Sequence, residues 1–126
     1  AQYADLAEKY ESDYSYDVGT VVIFGGEKEI TRSKMDNDPR VAGVISENPA
    51  YLMNSGTAGL PVALMGKVKC KVAGVIKKGD MLVTHENLKG VAKKSTDPAP
   101  GTVIGKALED YDSTEIGSIN IVVGRC

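Results

Sequence analysis

The chain has 126 residues, 42% of them hydrophobic, enough for one ordinary domain with a buried core. Its formal net charge of -2 argues against a broad basic face, so no nucleic-acid partner is expected. The longest apolar run, Val18 to Phe24, is broken by Gly19 and Thr20 and falls short of the roughly 20 residues that cross a bilayer, so no membrane span is expected either.

In chain order, the first predicted element is a short helix over residues 3–11, because Leu6 and Tyr10 lie four apart and would share a helical face. Asp5 would be its N-cap and Glu8 its third residue, the D-x-x-E form of a capping box. The opening decamer AQYADLAEKY has no signal-peptide character and reads as cut or processed from something longer. Tyr3, Tyr10, Tyr14 and Tyr16 crowd the first sixteen residues. An apolar body with a polar tip suits a partly wet interface, and suits equally well packing over one end of the domain. Residues 1–16 are thus read as an N-terminal segment ahead of a single β domain over 17–126.

From there glycine and β-branched residues take over, in GTVVIFGG, EKEITRS, RVAGVIS, PVALMGKVKCKVAGVI, GDMLVTH, NLKGVAKK, GTVIGKAL and SINIVVG. Short apolar or alternating runs bounded by Gly, Pro, Asp and Asn predict strands. Lys67, Lys69 and Lys71 alternate with Val68, Cys70 and Val72, so the lysines should form the wet face of a half-buried strand. One stretch is irregular: Tyr51-Leu52-Met53 sits inside the loop chemistry of residues 47–59, to plug a barrel or to meet another subunit.

A faint repeat runs through these strands. Gly19-Thr-Val-Val is echoed by Gly79-Asp-Met-Leu-Val, and Asp38-Pro39 with Gly43-Val-Ile45 by Asp97-Pro98 with Gly105-Lys-Ala107. Val41-Ala-Gly-Val-Ile45 recurs verbatim as Val72 to Ile76. The expected fold is mainly β, a small barrel-like or β-clip-like domain of two related β units that leaves no exposed edge, with the short N-terminal helix.

Candidate chemistry is sparse. Two cysteines, Cys70 and Cys126, and the lone His85 are too few for a metal cluster, so no metal and no cofactor are expected. Cys70 reads as a packed or free thiol, and His85 as a solvent-exposed turn residue. Asp36-Asn37-Asp38 resembles half a calcium loop without its later Gly and distal Glu. Asp5 and Glu8 remain. Three apart on a helical first turn, they could approach one peptide bond, one as acid and one as base; the plainer reading is a cap.

The stretch A-D-L-A-E-K-Y-E, Ala4 to Glu11, resembles the D-Y-A-E-x-F-E start of the self-cleaving intramolecular chaperone domains that end phage neck-appendage and tail-fibre proteins. The next segments are similar in their order too: Gly19 to Lys28, then R-V-A-G-V-I-S-E-N-P at Arg40 to Pro49. The second half, Gly66 to Leu108, is similar to C-terminal domains of phage fibres. The resemblance implies a C-terminal domain that acts as a trimerisation and folding cap for the upstream fibre segment of its own chain. It further implies a virion location after synthesis in the host cytoplasm. It also implies self-cleavage at Ala4–Asp5 with Asp5 and Glu8 as the functional carboxylates, although Ala4 stands where self-cleaving members often carry Ser. Tyr3, Tyr10, Tyr51, Leu52 and Met53 would supply contacts in a homo-trimer. A third reading is a small-ligand or carbohydrate-binding module, since Val72 to Lys94 also looks like the β-clip domains of antifreeze-like proteins.

Overall fold

The structure, a computed structural model, describes residues 5–54, 56 and 58–124. Ten strands run through it: β1 (Asp5–Tyr10), β2 (Val21–Phe24), β3 (Ile30–Arg32), β4 (Val41–Ile45), β5 (Tyr51–Met53), β6 (Leu60–Ile76), β7 (Met81–Thr84), β8 (Ala92–Ser95), β9 (Gly105–Ala107) and β10 (Tyr111–Val123). Among the described residues there is no helix.

The expected N-terminal helix is therefore corrected: residues 5–10 are a strand. β1 pairs antiparallel with β6 from Asp5↔Gly66 to Tyr10↔Leu60, and parallel with β5 on its other side. A nine-residue helix is marginal by itself. Two ladders and the burial of Asp5 and Ala7 outweigh a capping box.

β6 organises the molecule. Its first half pairs with β1 and β4, and its second half with β10 and, at Val72↔Ala92, with β8. The second half closes a five-stranded barrel in the order β6-β8-β7-β9-β10, and the β6–β10 ladder seals it. The first half makes a matching ring, β1-β6-β4-β2-β3, which returns to the chain after β1 through the parallel bridge Ser12↔Ile30. There the Glu11 carbonyl accepts the N–H groups of Glu29 and Ile30, each at 3.0 Å.

The two rings use the same register. Ile45↔Val62 in the first matches Ala107↔Ile121 in the second, and Val22↔Arg32 matches Leu82↔Lys94. Gly19 N–H donates to Ile45 C=O and Ile45 N–H to Thr20 C=O, both at 2.9 Å. Gly79 to Ala107 and Ala107 to Asp80 repeat this pair at 2.8 and 2.9 Å. Gly43 and Gly105 also match: a methyl on either would overlap a backbone carbonyl oxygen, of Ala63 or of Val122. The verbatim Val72–Ile76 echo has no such counterpart, since it ends β6 while Val41–Ile45 is β4.

Burial follows the rings. Val22, Ile30, Ile45 and Val62 form one cluster, with Tyr10 and Tyr16 against it. The larger cluster, including Cys70, Ile76, Leu82 and Ile121, fills the second barrel and reaches the first through Val21, Val44 and Ala63. The lysine-bearing run of β6 alternates as its pattern predicts, with Val68, Cys70 and Val72 buried.

Candidate functional site

Asp5 opens β1 and is only 2% exposed. Its Oδ2 accepts a hydrogen bond of 2.7 Å from the hydroxyl of Ser46, itself buried just past the end of β4. Its Oδ1 has no hydrogen-bond partner among the described residues. A buried carboxylate half-satisfied in this way is costly, and such groups collect where chemistry or binding uses them.

Glu8 lies three residues on. On a strand an odd spacing sends side chains to opposite faces, so the helical argument for two convergent carboxylates no longer applies. Glu8 has its own partners: Oε1 accepts from the Tyr10 hydroxyl at 2.8 Å, and Oε2 accepts from the Asn54 amide. Burial, reinforced by that bond to Glu8, pushes the Tyr10 phenol up to about 12. Ala4, and with it the Ala4–Asp5 bond, lies outside the described residues, as does Tyr3.

Tyr51, Leu52 and Met53 do not plug a barrel. They form the short edge strand β5, with Tyr51 at 72% exposure, Met53 at 39% and Leu52 half-buried. Leu6 pairs with Tyr51 on one side and with Met65 on the other. Tyr51, Leu6 and the exposed Met65 thus make an apolar row across three strands. Tyr10 packs edge-on against Phe24, with ring centroids 5.2 Å apart.

The remaining polar candidates have structural partners. Both Asp38 oxygens accept from Arg40, at 2.9 and 3.1 Å for Oδ1 and 2.9 Å for Oδ2. Those bonds hold its carboxyl below the usual carboxylate range. The Asp38 N–H donates to the Thr84 hydroxyl, which donates in turn to Met35 C=O, joining the first ring to β7. His85 is half-buried rather than exposed: its Nδ1 accepts the N–H groups of Asn87 and Leu88, building the turn after β7. Cys70 is a free, buried thiol, pushed up to about 12 by burial.

Sequence reasoning missed Ser46. Its partner lies 41 positions away, and its only signal was its place in the R-V-A-G-V-I-S-E-N-P run.

No family model matches the chain, and no curated protein matches it in sequence. Solved structures do. The C-terminal fragment of the bacteriophage phi29 gene product 12 is similar with a TM-score of 0.68 at 14% identity, over 94% of this chain and 99% of that one. The head fiber gp8.5 N base of bacteriophage phi29 is similar with a TM-score of 0.52 at 15% identity, over 98% of this chain and 95% of that one. At such identities the likeness is one of fold.

Proposed function

We propose that this chain is the C-terminal β domain of a phage fibre or appendage protein, where it works in the virion as a trimerisation and folding cap. The observation that carries this reading is the near end-to-end likeness to the phi29 gene product 12 fragment, with almost nothing left over in either chain. The apolar row of Tyr51, Leu6 and Met65 supports it, because an exposed edge strand flanked by apolar side chains favours another protein surface over water. Holding three chain ends together raises the effective concentration of the upstream segments and so favours their registration. Sedimentation equilibrium tests it: three subunits are expected, and a monomer throughout the micromolar range refutes it.

A second reading, autoproteolysis before Asp5, is favoured by one observation, the buried Asp5 carboxylate with one oxygen on Ser46 and one unpartnered among the described residues. Cleavage there would leave β1 whole, so the domain would stay folded after release. Intact mass of the chain extended by several dozen native upstream residues decides it. Two pieces that split before Asp5, and a single piece for Asp5→Asn, are the expected result. A wild-type chain that stays whole removes the reading.

A further inference from the structure

The two barrels differ at one seam. In the first, the chain beyond the Ser12↔Ile30 bridge is tied to β3 by side chains. The Thr31 hydroxyl donates to Asp13 Oδ2 at 2.8 Å, and the Tyr16 hydroxyl donates to Asp13 Oδ1 at 2.6 Å. In the second barrel the matching bridge is Val72↔Ala92, and the register puts Ala73 where the first has Asp13, and Lys93 and Lys94 where it has Thr31 and Arg32. Among the described residues no carboxylate crosses this seam. β6 and β8 part after their single pairing and leave a groove of about 530 Å³ between Ala73, Gly74 and Val75 on one wall and Lys93, Lys94 and Ser95 on the other. Lys93 is neutralised by Asp36 at 2.6 Å and Glu86 at 2.9 Å. Lys94 reaches only Asp80, at 3.9 Å, among the described residues. Val75 stands 55% exposed at the rim.

The other side of the same β6 stretch carries a feature of complementary chemistry. Between Ser113↔Gly74 and Gly117↔Val72, β10 sets three residues, Thr114, Glu115 and Ile116, against the single Ala73. The resulting knob is fixed at its backbone: the Glu115 N–H donates to Ser113 Oγ at 3.0 Å, and the Glu115 carbonyl accepts from the Tyr111 hydroxyl at 2.7 Å. All three side chains are exposed, Ile116 by 52%, and Glu115 forms no ion pair among the described residues.

The geometry points to a head-to-tail contact between copies of this chain, in which the Thr114–Ile116 knob of one enters the β6/β8 groove of the next. Glu115 meets Lys94, which has only a distant carboxylate of its own, while Ile116 covers the exposed Val75. A contact between two different patches closes into a ring when the rotation between copies allows it. The inference rests on the trimer reading and names the surface that would hold the trimer.

Charge reversal tests it, with assembly followed by sedimentation equilibrium and native mass spectrometry on wild type, Glu115→Lys, Lys94→Glu and the double variant. Each single reversal is expected to weaken assembly about tenfold or more, and the double variant to recover most of that loss. Recovery separates a direct contact from misfolding. A wild-type trimer left unchanged by both reversals, or weakened by them with no recovery in the double variant, overturns this contact while the trimer reading stands on another face, such as that of Tyr51. A wild-type monomer overturns both.

Discussion

Cys70 shows how one residue's place in the sheet sets its chemistry. It alternates with Lys69 and Lys71 on β6, faces the core and is fully buried, and burial pushes its thiol up to about 12. A thiolate is the reactive form, so Cys70 should resist alkylation at pH 8 in the folded chain and react once it unfolds. Peptide mass mapping after iodoacetamide, with and without denaturant, measures this. Rapid labelling of the native protein would contradict the burial. The inward direction of Cys70 was legible from the alternation of its neighbours. The Asp5–Ser46 bond was not, because nothing local couples residues 41 positions apart.

Among the elements, the strands were easier to read than the opening decamer. Leu6 and Tyr10 are four apart, a spacing close to one helical turn and also twice the strand period, so it fits both. What decided between them was the ladder to β6, fifty or more residues away and invisible to any local window. The irregular Tyr51–Met53 run became a strand for the same reason, by pairing with β1. The repeat was legible in its glycines, and those make the sharpest element-scale prediction. Gly43 and Gly105 each lie against a carbonyl of a neighbouring strand that ladders hold in place. Gly43→Ala and Gly105→Ala should each cost about 3 kcal/mol or more, because a methyl there must push two strands apart. Gly56→Ala, in an exposed turn with open space around it, should change stability by less than about 0.5 kcal/mol. Urea midpoints at constant slope compare the three, and similar costs for all would show that the close approach is unimportant.

For the whole molecule, the two rings have one strand in common and a core that runs between them. Neither should melt alone. Calorimetry is expected to give a single transition whose calorimetric and van't Hoff enthalpies agree at the unit that melts. A trimer would add a midpoint that rises with protein concentration. Two resolved transitions would mean that β6 does not couple the rings. The fold class was readable from composition and strand spacing. A closed barrel was expected from the repeat, but which strands close it was not legible, since that depends on the long β10–β6 ladder and on bridges of a single residue pair.

The shared strand also sets an order of events during synthesis. Once residue 66 has left the ribosome, every strand of the first ring is present, and that ring can close with contacts confined to its own half of the sequence. The rest of β6 then emerges already anchored at one end, with Val68, Cys70 and Val72 uncovered until their β10 partners Ile121, Ile119 and Gly117 arrive, about fifty residues later. A nascent chain halted in that interval would display a sticky, half-laddered edge. The finished first half is thus a template for the second, and the interval between them is when neighbouring chains on one messenger are most exposed to mispairing.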